Sequence, residues 1–298
     1  MKEKAKFILP PFIFSLKFVV GTSVPQTRNR DKKMLSETIP LLRLSQGHLN
    51  LLEACPRKFQ HTYLEKLNTP LDPKHEEHQI LGSQFHLLMQ QREMGLPIDS
   101  LLQADTQLKS WMSGFTNAAP EILTPTDSQT FRESEHYRIL QIQDYLLTVV
   151  YDLFIADSQK AQILDWKTYP KPPNQRKLEQ NWQTRLYLYV LAETSDYLPK
   201  DISMTYWFVQ SESQPQNITF NYNSTKHQQT AKKLNQLLHK LTDWLEDYQR
   251  NQLFPQVPEN SQDCNYCHFA TRCHRKQASA ENQQKFLPNL ANIQEVSL

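Results

Sequence analysis

Residues 145–170 read YLLTVVYDLFIADSQKAQILDWKTYP. Two runs rich in β-branched and aromatic residues, 145–156 and 161–168, are parted by the four polar residues DSQK, which predicts neighbouring antiparallel strands. Each run carries an acid among apolar residues: Asp152 in VVYDLFI and Asp165 in ILDWK. Side chains two apart on a strand share a face, so Asp165 and Lys167 point one way while Trp166 points into the core. Two carboxylates and one ammonium are thereby expected near one end of a sheet. Buried carboxylates repel each other and are costly without a counter-charge, so the group predicts a bound cation. Mg²⁺ suits oxygen ligands and keeps room for water and phosphate. The chemistry this allows is metal-assisted phosphodiester hydrolysis, with Lys167 orienting or deprotonating the attacking water. A D-x-K tripeptide alone is more often an edge-strand salt bridge, so the rest of the chain has to decide.

The 298 residues are 39% hydrophobic and 21% charged, an ordinary soluble globular composition. A net charge of +2 gives no general case for nucleic acid or membrane. Residues 1–33 hold eight Lys/Arg against two acids, so the remaining body is slightly negative and any nucleic-acid surface must be a local patch. The early run FILPPFIFSLKFVV superficially resembles a signal peptide, but Pro10, Pro11 and Lys17 interrupt it, and 1–33 reads as a disordered or over-extended leader. The domain proper is expected over 34–275, followed by a polar tail over 276–298. The five glycines form neither G-x-x-x-x-G-K-[ST] nor G-x-G-x-x-G, which excludes a nucleotide-driven motor of those types.

Ser45 is placed to cap a helix running to Ala54, and Cys55-Pro56 to restart one. A polar loop is expected next, then a helix from about 80 to 93 with Leu81, Phe85, Leu88 and Met89 on one face, stopped by Gly95 and Pro97. Residues 96–130 read as helices with loops. The strands HYRILQI, YLLTVVYDLFIA and AQILDWKT form a meander. A helix over LEQNWQTRLYLYVLAE, the strands ISMTYWFV and NITFNYN, and a long helix over 225–249 complete a mixed α/β core.

Asp152, Asp165-Trp166-Lys167 and then Gln183-Thr184-Arg185-Leu186-Tyr187, in that order, resemble the PD-(D/E)xK nuclease superfamily, and in particular its RecB-like branch, whose signature ends in Q-x-x-x-Y. Upstream, GSQFH resembles the helical motif in which a histidine, here His86, joins the metal shell. The resemblance implies a restriction-endonuclease-like fold, a mixed central sheet flanked by helices. It further implies a metal-dependent DNA nuclease, an exonuclease of repair or recombination, using Mg²⁺ or Mn²⁺. Asp152, Asp165, His86 and the Trp166 carbonyl would hold the metal, Lys167 would serve the water, and Gln183 and Tyr187 would contact DNA. Where family members often carry glycine before the strand acid, Val150-Tyr151 stand here.

The four cysteines are Cys55, Cys264, Cys267 and Cys273. The spacing of the last three, with His268 and His274 nearby, generically reads as zinc. A lone early cysteine with a late trio instead resembles the iron–sulfur subset of RecB-like nucleases, including the AddB nuclease domain and the CRISPR-associated exonucleases. That implies a 4Fe-4S cluster joining the N- and C-terminal segments, and a reducing, cytoplasmic setting. Between 160 and 185 stand six bases against two acids, and Lys171, Arg176 and Lys177 are placed to track phosphates without reading sequence. By the same resemblance the partner is single-stranded DNA or DNA ends, with a separate helicase or repair complex and no membrane. The rival readings are a catalytically weak DNA-binding or assembly module of this fold, and a nuclease of CRISPR spacer acquisition.

Overall fold

The computed structural model describes residues 41–67, 73–123, 130–169, 174–210 and 214–275, with 73–76 described by backbone alone. All lie in the compact unit Pro40–Leu298. The leader over 1–33, the tail over 276–298 and Lys171 lie outside the described residues.

Six strands form a mixed sheet: β1 (Leu42–Leu44), β2 (Phe131–Ile142), β3 (Tyr145–Ala156), β4 (Ala161–Lys167), β5 (Ile202–Phe208) and β6 (Gln216–Asn221). The meander is as expected, with β2–β3 and β3–β4 antiparallel, and β5–β6 likewise. β1–β3 and β4–β5 are parallel. β2 follows β3 along its length, while β1 pairs only with Tyr145–Leu147 and β4 only with Leu153–Ala156. β3 therefore changes partner along its other edge, and the sheet forks between the two neighbours.

The helices are α1 (Gln46–Ala54), α2 (Pro56–Phe59), α3 (Pro73–Glu93), α4 (Asp99–Ala104), α5 (Thr106–Ala118), α6 (Pro120–Leu123), α7 (Gln175–Gln180), α8 (Trp182–Glu193) and α9 (Ser224–Gln249). Two helix boundaries differ from the sequence expectation. The expected polar loop before residue 80 is the first part of α3, because Pro73 is tolerated in a first turn and the Lys-His-Glu-Glu-His run can continue a helix. The helix expected over 178–193 breaks at Asn181, whose extended backbone and side-chain oxygen cap α8 through Gln183 N. Cys55-Pro56 does restart the chain, as α2, which runs on into a π-helical turn over Gln60–Leu64.

Two apolar layers clamp the sheet. On one side Leu49 and Leu52 of α1, Trp182 and Leu186 of α8, and Leu234, Leu238 and Leu241 of α9 pack with Ile163, Tyr206 and Phe208. On the other, Phe85 and Leu88 of α3 and Trp111 and Phe115 of α5 pack with Leu153, Leu164, Trp166 and Trp207. Phe115 meets both Trp166 and Trp207 edge-on at 5.2 Å. Trp166 thus fills the core from the face opposite its two charged neighbours, as strand alternation requires. Among the described residues, no helix is long and apolar enough to cross a membrane.

Candidate active site

The ladder between β3 and β4 ends at Leu153–Leu164, and the next residues along the two strands are Asp152 and Asp165. Both acids therefore stand where the sheet opens. Asp152 bridges the opening: the Trp166 amide donates to its Oδ2 at 2.6 Å, replacing a ladder bond with a side-chain one.

His86 reaches this point from α3. Its Nε2 lies 3.1 Å from the Trp166 carbonyl oxygen and its Nδ1 lies 3.4 Å from Asp152 Oδ1. A carbonyl can only accept, so Nε2 carries a proton in this arrangement. One turn earlier on α3, a Cβ at Gly82 would come 3.0 Å from Thr168 Oγ1, so the bare glycine lets the helix approach the end of β4. Burial pushes the Asp152 carboxyl up, but the nearby His86, Lys167 and the Trp166 amide together pull it below the usual carboxylate range.

Asp165 is fully buried. Lys167 Nζ sits 2.6 Å from its Oδ1, and Gln183 Nε2 donates to its Oδ2 at 2.6 Å. The ammonium also lies over the Tyr206 ring, 5.4 Å from its centroid. Burial, then the charge of Asp165, raises the Tyr206 hydroxyl well above its usual value, so it remains neutral and pairs with Thr184 Oγ1 at 2.8 Å.

These contacts bring His86, Asp152, Asp165, Trp166 and Lys167 to the fork in the sheet. Gln183 of the Q-x-x-x-Y pair directs its amide at Asp165. Tyr187 is only 4% exposed; its ring packs against Tyr151 at 5.2 Å, and its carbonyl accepts from the Tyr151 hydroxyl at 3.0 Å. Tyr187 also lines, with Arg43, Ser45 and Val150, a cavity of about 210 Å³ beside β3. Arg176 and Lys177 are exposed on α7.

Glu135 is a site residue that sequence reasoning missed. Its carboxylate, Asp152 and His86 each offer a ligand atom within 4.8 Å of the others. The expected strand began at His136, which left Glu135 outside it. The signal that could have found it was register, since Glu135 falls opposite Asp152 between the pairs Ser134–Leu153 and His136–Tyr151. The donor set of two carboxylates, an imidazole and a carbonyl oxygen fits a hard divalent cation.

All four cysteines are free thiols, Cys267 buried and the other three partly buried. Burial raises the Cys264 and Cys273 thiols. Among the described residues, however, no three Cys or His ligand atoms come within 4.8 Å of one another, so the zinc expectation finds no closed single-ion site. Early and late parts of the domain are joined by direct contacts. Arg57 Nε donates to the Phe254 carbonyl at 2.7 Å, Phe254 N donates to Gln60 Oε1 at 2.7 Å, and the Phe59 and Phe254 rings stack at 6.3 Å.

Residues 43–274 match the family model of the PD-(D/E)XK nuclease superfamily, and the chain belongs to that superfamily. No curated protein matches it. Among solved structures it is similar to SSO0001, at 15% identity over 80% of this chain and 89% of that one, with a TM-score of 0.36. It is also similar to a protein of Eubacterium rectale called "Putative exonuclease", at 8% identity over 80% and 93% of the two chains, with a TM-score of 0.48.

Proposed function

We propose that this member of the PD-(D/E)XK nuclease superfamily is a DNA nuclease of the RecB-like branch, cutting phosphodiester bonds with Mg²⁺ or Mn²⁺. The observation that carries the reading is the bridge at the fork, where Asp152 accepts from the Trp166 amide while His86 touches both Asp152 and the Trp166 carbonyl. Asp152, Asp165, His86 and the Trp166 carbonyl would hold the ion. When bound, it would neutralise the scissile phosphate and lower the pKa of a coordinated water.

The chain's own residues supply the rest. Lys167 is fixed by Asp165 and the Tyr206 face, so its ammonium enters the reaction without first losing side-chain freedom. From there it orients the attacking water or steadies negative charge on the phosphate. Gln183 acts as a brace on Asp165, a role for the Q-x-x-x-Y glutamine more direct than contact with DNA. Tyr187 can meet a strand through the cavity it lines. Arg176, Lys177 and Lys171 would bind phosphates without reading bases, which suits action on single strands or DNA ends.

The iron–sulfur reading belongs to the same proposal. Its support is the order of the four cysteines along the chain. It carries with it a reducing compartment such as the cytoplasm, and work alongside a separate helicase in repair, recombination or CRISPR spacer acquisition.

A binding module without cleavage is the second reading, and one observation favours it: Lys167 and Gln183 occupy both Asp165 oxygens, which limits its reach toward an ion. One experiment separates the two. Anaerobically purified protein is given end-labelled single- and double-stranded DNA with each metal, beside Lys167→Ala. Cleavage that disappears in K167A while DNA binding survives supports the nuclease. Wild-type protein that binds DNA and never cuts it establishes the module. Brown colour and visible absorption support the cluster, and a colourless preparation holding zinc removes it.

A further inference from the structure

We propose that Glu135 is a ligand of the same metal ion, delivered from β2 by a left-handed kink in the strand. The inference rests on the nuclease reading above and adds a residue to which that reading gives no role.

Three observations converge on it. The first is reach: the Glu135 carboxylate, His86 and Asp152 offer ligand atoms within 4.8 Å of one another, a grouping a single divalent ion can span. The second is register. β2 and β3 pair at Ser134–Leu153 and again at His136–Tyr151, with no pairing between Glu135 and Asp152 that lie between them. The number of residues on the two strands stays matched, so β2 leaves the ladder for one residue and returns without slipping. The third is the backbone of Glu135, whose φ is +52°, while no other residue of β2 has a positive φ. A side chain with a Cβ pays for that conformation, and such residues persist where the surroundings impose them.

The kink has a geometric effect. In a regular strand the residue opposite Asp152 is held at the spacing of a ladder pair, with its side chain perpendicular to the sheet. Leaving the ladder re-aims the Glu135 carboxylate toward Asp152 and His86. Three elements then contribute one side chain each to the same point: β2, β3 and α3. His86 and Asp152 are in contact already, so the third ligand comes from the side of the fork opposite β4.

The test reads metal binding directly. Mn²⁺ is titrated by calorimetry into wild-type protein, Glu135→Gln, Glu135→Gly and Asp152→Asn, without DNA, and the metal-free melting temperature of each is recorded. Glutamine keeps the size of the side chain and removes its charge. Glycine removes the ligand and adopts φ +52° without strain, so it should melt no lower than wild type when metal-free. The expected result is a dissociation constant for Mn²⁺ weaker by about tenfold or more in both Glu135 variants, the scale set by losing an orienting partner around a metal. Asp152→Asn should bind weaker still. Unchanged Mn²⁺ affinity in both Glu135 variants, with binding lost in Asp152→Asn, overturns the role of Glu135 and leaves the nuclease reading standing. Wild-type protein that binds no Mn²⁺ overturns both.

Discussion

Replacing Gln183 by glutamate would set a second, partly buried carboxylate against the buried Asp165. In the wild-type protein the Gln183 amide donates to Asp165 Oδ2 at 2.6 Å and Lys167 holds Oδ1. A hydrogen bond to a charged group contributes about 1.5–3 kcal/mol. Gln183→Ala should therefore destabilise the metal-free protein by about 2 kcal/mol, which for a domain of this size lowers the melting temperature by about 4–8 °C. Gln183→Glu does more, because a carboxylate in hydrogen-bond contact with the buried Asp165 disfavours ionisation of both and the pair keeps one proton. Unfolding releases that proton at any pH above the ordinary glutamate value of about 4.3. The folded variant then binds more protons than the unfolded one, so its stability falls as pH rises. Measured by thermal unfolding in EDTA, the gap between Q183E and wild type should widen from pH 5 to pH 8. A Q183E protein that melts with wild type at pH 8 would refute the brace.

Asp152 gives the opposite pH signature. Its carboxyl is held below the usual range, so it contributes stability above its unfolded value of about 3.9 that is lost as pH falls through the lower folded value. Urea unfolding of metal-free D152N should accordingly lose less stability between pH 6 and pH 3 than wild type. Gln60→Leu strands the buried amide of Phe254, which should cost about 1–3 kcal/mol and speed proteolytic cutting near Phe254. Phe115→Ala empties the space between Trp166 and Trp207, and chemical denaturation should show a loss of about 3–5 kcal/mol. If α7 lies along DNA, Arg176→Ala with Lys177→Ala should weaken binding to all sequences alike and reduce the salt slope by about one for each phosphate left without its cation.

The central sheet was legible because its strands announce themselves twice, by β-branched composition and by the isolated acids Asp152 and Asp165. The faces of Asp165, Trp166 and Lys167 follow from alternation alone, and the packing of Trp166 on Phe115 bears that out. The fork was not legible, since composition says nothing about a strand that changes partner, and β1 is three residues long. Glu135 was hidden for a related reason. Its part depends on a backbone angle that disfavours any residue except glycine, and a glutamate in ESEHYR gives no local sign of adopting it. The break at Asn181 could have been read from its capping chemistry, but the apolar stripe from Leu178 to Val190 runs straight through it. The direction of the Gln183 amide depends on how α8 docks, which helical periodicity leaves open.

The seam that fastens α2 to the chain near Phe254 has a consequence for how the protein is made. The residues that satisfy Arg57 and Gln60 arrive 197 and 194 positions later. A ribosome releases the first helices long before it has synthesised their partners, and domains on this scale assemble as the chain emerges. The earliest part of the domain therefore waits, with its polar groups hydrated, until Phe254 has emerged.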